Sequence, residues 1–174
     1  MGEIIFREVP VVANNYVFLG NYVNVGKWGI ECVLVIFALK IIAPNKFFFI
    51  RGVNEARDAQ NDRNGLRREC LDKYGQECGK EVWSAVNEVF DRLPLAVIID
   101  ESVLCLNNSV PHPSTVAVES IFNVSANLKD PISDSVAKAV CHADGRSLKF
   151  FLAHHSPPPR CLAKALPKNS AWNF

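Results

Sequence analysis

An α/β fold built on parallel strands follows from three observations. Two short apolar runs, 15–20 and 47–50, flank a helix-length segment at 27–43. Two further segments, 66–74 and 81–92, carry amphipathic helical patterns. A final pair of apolar runs, 96–99 and 103–106, is joined by only Asp100, Glu101 and Ser102. A strand, a helix-length crossover and a second strand place the two strands parallel, with a right-handed connection.

Each element has its own signal. Asn15-Tyr16-Val17-Phe18-Leu19 is closed by Gly20 and reads as a buried strand. From Lys27 to Ala43 the chain is apolar on nearly every face, so this helix is expected to be covered on most sides; Pro44 stops it. Phe47-Phe48-Phe49-Ile50 is a second buried strand, ended by Arg51-Gly52. The polar stretch 53–64 reads as a loop over the sheet edge. Trp83, Val86, Val89 and Phe90 form the apolar stripe of the helix over 81–92. The runs 96–99 and 103–106 make a hairpin about Asp100-Glu101. Short helices are expected over 114–122 and 132–141, the latter opened by Pro131 and Ser133. After Asp144 a proline run and the loss of periodicity indicate an irregular tail over 145–174.

Composition narrows the function classes. With 174 residues, 49% hydrophobic and 21% charged, the chain has enough apolar material for one core. A net charge of +1 gives no electrostatic ground for nucleic acid or an anionic membrane as partner. The N-terminus MGEIIFREVP lacks a signal-peptide pattern, and the longest apolar stretch, 32–43, is too short to span a bilayer. An intracellular protein of the cytoplasm or nucleus is therefore expected. The six cysteines form no CxxC pair and read as reduced thiols. Cys141, His142, His154, His155 and Cys161 have no spacing that fits a zinc site. Arg51, Arg57, Arg63, Arg67 and Arg68 could line a phosphate site, but such a run more often marks the wet face of a loop and helix.

Three short strings carry a more specific signal: GNYVNVG at 20–26, RGVNE at 51–55 and LCLNNS at 104–109. With the intervening helix and the phrase LPLAVIIDESVLC at 93–105, the chain from about Asn15 to Asp144 resembles the phosphoprotein phosphatases. These are the metal-dependent serine/threonine phosphatases of the calcineurin-like metallophosphoesterase superfamily, and the type-1 branch is the most similar. The resemblance implies a four-layer α/β/β/α sandwich. It places a partial phosphatase domain at 1–144, incomplete at both ends: the family's GDxHG motif would lie upstream of residue 1, and the last third of the domain lacks a counterpart.

The family motifs GDYVDRG, RGNHE and HGG fall on the three strings in order, and Asn61, Gly65, Glu69, Cys70 and Glu55 match. The resemblance implies two divalent cations, manganese, iron or zinc, held about 3.5–4 Å apart to clamp a phosphate and activate water. The position of the bridging aspartate holds Asn21, that of the amide ligand Val53 and that of the histidine ligand Asn107. The general-acid position holds Asn54, the residue orienting it is Asn24, and the phosphate-gripping arginine is Val25. An amide is a neutral, poor bridge, valine has no donor atom, and neither titrates near neutral pH. No catalytic, substrate-binding or metal residue is therefore assigned, and no cofactor is expected. Asn21 and Asn24 also read simply as turn residues, which asparagine favours.

Three functions stay open. The substitutions favour a catalytically silent phosphatase relative that acts, if at all, by binding phosphatase regulatory proteins or phosphoproteins. The second is an active phosphatase with atypical ligands. The third is a truncated, poorly folding paralogue without function, because missing sheet elements would leave apolar faces uncovered.

Overall fold

The structure, a computed structural model, describes residues 14–61, 63–108, 118–121, 123–125 and 127–141. The tail over 145–174, the ring nitrogens of His142, His154 and His155, and Cys161 lie outside them. Strand β1 (Tyr16–Phe18) and strand β2 (Phe47–Phe49) pair in parallel, Tyr16 opposite Phe47 and Phe18 opposite Phe49. The same two pairs stack their rings at 5.3 and 4.9 Å, so ring contacts reinforce the backbone register. Helix α1 (Gly29–Ile42) is the crossover between them.

Helix α1 has no side-chain cap of its own. Its first N–H groups, those of Gly29 and Ile30, donate to the Glu69 carboxylate at 3.1 and 3.0 Å. That acid belongs to helix α2 (Leu66–Tyr74), so one helix supplies the negative charge that the other's N-terminus favours. Only one face of α1 is covered, by Gly29, Ile30, Val33 and Ile36. Leu34, Val35, Ile41 and Ile42 are 56%, 57%, 74% and 79% exposed, which corrects the expectation of a helix buried on most sides. Its apolar pattern runs all round, but the described elements pack on a single side.

Gly75, at φ 77°, separates α2 from helix α3 (Gln76–Phe90), which starts earlier than its periodicity suggested. Val86 and Phe90 bury against α1 and β2, while Trp83 and Val89 are half-buried. Strands β3 (Ala96–Ile99) and β4 (Val103–Leu106) form the expected antiparallel hairpin in a second small sheet. Asp100 and Glu101 both take left-handed backbone, at φ 54° and 56°, as a tight hairpin turn requires. Helices α4 (Val118–Ile121) and α5 (Ser135–Cys141) follow. Asp134, not Ser133, caps α5: its Oδ1 accepts from the N–H groups of Val136 and Ala137, both at 2.9 Å.

Two apolar clusters result. One joins β1, β2, α1, α2 and α3 around Phe47, Val33, Leu66 and Phe90. The other joins the hairpin to α4 and α5 around Leu95, Ile121 and Val140. Arg51 stands between them. It is fully buried, not part of a wet basic face, which corrects one reading of the arginine run. Its Nε and Nη2 donate to the Glu55 carbonyl at 3.2 and 3.0 Å, and its Nη1 to the Leu128 carbonyl. Its Nη2 also reaches Asp91 at 3.4 Å, and Arg57 pairs with the same buried carboxylate. Arg63, Arg67 and Arg68 are exposed, as a solvated face would be. Among the described residues no helix is long and apolar enough to cross a membrane.

Two outcomes follow from this packing. Asp91→Ala leaves the Arg51 guanidinium buried without its carboxylate and should cost about 3–5 kcal/mol in urea-induced unfolding. Burial also pushes the thiols of Cys70 and Cys141 from 9.0 to about 11. Their contribution to stability is complete below the ordinary thiol value and is lost as the pH rises through the folded one. The thermal midpoint should hold up to about pH 9 and fall above it, and the fall should shrink when both cysteines are changed to alanine.

Candidate functional site

The loops after β1, β2 and β4 meet at one end of the parallel pair. Gly20 and Gly52 are what allow this approach. A Cβ on Gly20, which sits at φ 94°, would lie 2.6 Å from the Gly52 nitrogen, and one on Gly52 would lie 2.6 Å from the Asn21 nitrogen. Only a hydrogen in place of a side chain fits there. Asn21 and Asn24 take φ 60° and 69°, left-handed conformations that asparagine tolerates better than other side-chain-bearing residues. The turn-residue reading of these two positions therefore has a direct backbone cause.

Glu55 lies beneath the meeting point and is fully buried. Its Oε2 accepts from the backbone N–H groups of Asn21 at 2.8 Å and Gly52 at 2.9 Å. Its Oε1 accepts from that of Tyr22 at 2.7 Å. Burial pushes this carboxyl up, while the surrounding backbone N–H groups hold it down. The Tyr22 hydroxyl donates toward the carbonyls of Phe18 and Ile50 at 2.9 Å and accepts from the Gly20 N–H at 3.0 Å. The ring thus locks the strand ends together. Burial first, and Glu55 second, raise its pKa above the ordinary tyrosine value.

The positions singled out from the sequence are brought together, with one exception. The Asn21 Oδ1 accepts from the Asn54 N–H at 3.4 Å, and the Asn54 amide donates to the Val23 carbonyl at 3.1 Å. The Asn24 Oδ1 accepts from the Leu66 N–H, at the start of α2, at 2.9 Å, while its Nδ2 donates to the carbonyls of Ala59 at 3.0 Å and Asn54 at 3.3 Å. The Asn107 Oδ1 accepts from the Val53 N–H at 3.3 Å, and its Nδ2 donates to the Leu19 carbonyl. Val25 is the exception. It is 82% exposed and joins none of these contacts.

The stretch expected to be a loop, 53–64, instead contains two 3₁₀ turns, Val53–Glu55 and Asp58–Gln60. Gln60 is buried there, and its Oε1 accepts from Trp83 Nε1 at 2.7 Å and Asn87 Nδ2 at 2.9 Å. Tyr22, Gln60 and Asp91 were not singled out from the sequence. Tyr22 stands inside GNYVNVG, but the other two look like ordinary polar residues until their partners, 23 to 40 residues away, are seen. Among the described residues no three His, Cys, Asp or Glu side chains are grouped so as to hold a metal ion.

Comparison with known proteins agrees with this fold. The calcineurin-like phosphoesterase family matches residues 3–172. The serine/threonine-protein phosphatase PP2A-like PPG1 of Saccharomyces cerevisiae is 34% identical over 140 residues, which is 80% of this chain and 37% of that protein. The serine/threonine-protein phosphatase BSL2 of Arabidopsis thaliana is 36% identical over 110 residues, 63% of this chain and 11% of that protein. A solved protein serine/threonine phosphatase of Saccharomyces cerevisiae, described as similar to human phosphatase PP5, superposes with a TM-score of 0.63. Its sequence identity is 31%, over 72% of this chain and 38% of that one. The chain thus spans well under half the length of each.

Glu55 gives this site its testable consequence. Glu55→Ala leaves three N–H groups, the buried one of Gly52 and the part-buried ones of Asn21 and Tyr22, without this acceptor, at about 1–3 kcal/mol each. Urea unfolding should report a loss of at least about 3 kcal/mol, and Tyr22→Phe a smaller loss of about 1 kcal/mol.

Proposed function

This chain belongs to the calcineurin-like phosphoesterase family, with serine/threonine phosphatases among its relatives, and from that membership we propose a family member that does not hydrolyse phosphoesters and acts through binding. The observation that carries the reading is the donor set where the family's chemistry would occur. Asn21, Val53 and Asn107 stand at the metal-ligand positions. The two amide oxygens are spent on backbone N–H groups, and valine offers no lone pair. Glu55 supplies the nearest negative charge in this network, and its oxygens are already committed to backbone N–H groups.

These residues do not fit a pair of dications. Two doubly charged ions side by side repel strongly and need carboxylates to neutralise them. Neutral amides provide no such compensation, and the desolvation penalty of the ions would stand nearly unopposed. The general-acid position, Asn54, does not titrate near neutral pH, and its side chain is held by Val23. Val25 presents no charge to a phosphate. No step of phosphoester hydrolysis is assigned to a residue of this chain. The retained scaffold supports engagement of proteins that recognise the phosphatase surface, either regulators or phosphoproteins.

A second reading draws on helix α1. Four large apolar side chains in water forgo roughly 1.5–3 kcal/mol of burial each. Their exposure supports a chain that folds weakly by itself, and a broad, non-cooperative melt would favour that reading over the first.

The test is calorimetric titration with manganese followed by an assay on a small phosphomonoester. The expected outcome is no stoichiometric binding and no turnover above background. Tight uptake of manganese, with turnover lost in Asn21→Ala, would overturn the proposal in favour of an active phosphatase with atypical ligands.

A further inference from the structure

Any ion seated among residues 21, 53 and 107 would tie together the segments that follow β1, β2 and β4. Those segments are already tied, by amides. We infer that Asn21, Asn24 and Asn107 form a cation-independent clasp that holds the loops of the site in place; this rests on the reading of the site as one without metal ions.

Three oxygens land on three different backbone N–H groups: Asn21 on Asn54, Asn24 on Leu66, and Asn107 on Val53. The nitrogens of Asn24 and Asn107 are used as well, on the carbonyls of Ala59, Asn54 and Leu19. A single amide both accepts and donates, so each of these two crosslinks two strands of chain, as a coordinated ion would, without a net charge to neutralise. Left-handed backbone accounts for asparagine at 21 and 24. It does not account for Asn107, which is not among the residues with positive φ. At that position the two bonds are the reason for the amide. Asn107 follows β4 in the second sheet, and its partners Leu19 and Val53 follow β1 and β2 in the first. The clasp therefore also joins the two sheets, at the close approach of Gly20, Gly52 and Asn107.

Residue-resolved hydrogen exchange on the full chain tests this, with chelator and with added manganese. In the unaltered chain the exchange rates of Val53, Asn54 and Leu66 should be the same in both conditions. Asn107→Ala should speed exchange at Val53 about tenfold and leave Leu66 nearly unchanged, and Asn24→Ala should do the reverse. Asn107→Asp keeps the acceptor, loses the donor and adds a negative charge beside the Leu19 carbonyl; measured with chelator, it should retain protection at Val53 and guards against an alanine variant that does not fold. Unchanged protection at Val53 and Leu66 in the alanine variants would overturn the clasp and leave the metal-free reading standing. Slower exchange on adding manganese to the unaltered chain would overturn both.

Discussion

The loops that follow β1 and β2 converge on the buried carboxylate of Glu55. Its two oxygens receive N–H groups from Asn21, Tyr22 and Gly52, so one side chain satisfies three backbone donors. The geometry around it leaves little slack. Gly20 and Gly52 are pressed together, and Tyr22 spans the ends of both strands through its hydroxyl. The backbone carbonyl of Glu55 in turn accepts twice from Arg51, which reaches Leu128 and Asp91 in the second half of the chain. The anchoring of the site and the joining of the two apolar clusters therefore run through neighbouring residues.

On the proposed reading, this arrangement separates the scaffold of the calcineurin-like phosphoesterase family from its chemistry. Glu55, Gly52, Glu69 and Arg51 hold backbone in place. Their partners are N–H and carbonyl groups, which every sequence supplies. The catalytic positions differ because their partners in the family are ions and substrate. On that reading the family's ligands and general acid at 21, 53, 54 and 107 give way to amides and valine, and the same loops close on backbone groups. On the proposed reading, folding and hydrolysis place separable demands on this turn, and only the first is still met.

Much of the architecture was legible in the sequence. The parallel strand–helix–strand unit and the hairpin come from short apolar runs bounded by Gly52, Pro44 and Asp100-Glu101. The match of α2 to its expected limits reflects a polar approach and the Gly75 stop. What was not legible depended on distant partners. The covering of α1 is a property of its neighbours, not of its own pattern. Arg51 looked like one of five surface arginines, and its distant partners, Asp91 and the Leu128 carbonyl, 40 and 77 residues away, go with its burial. At the site, the neutral character of Asn21, Val53, Asn54 and Asn107 could be read from residue types. The destinations of the amides could not, because each bonds to a backbone group 30 or more residues away in sequence.

The hairpin turn bears on the order in which the chain assembles. Asp100 and Glu101 both occupy a region of backbone space that costs a side-chain-bearing residue roughly 1–2 kcal/mol. A turn of asparagine and glycine would close spontaneously and seed the pairing of its strands. This one resists closing until Leu104, Leu106 and Ala96 find the apolar cluster formed with the last two helices. That backbone cost favours an order in which the ring-stacked parallel pair and its helices form first and the second sheet follows, which would show as low φ-values in the hairpin.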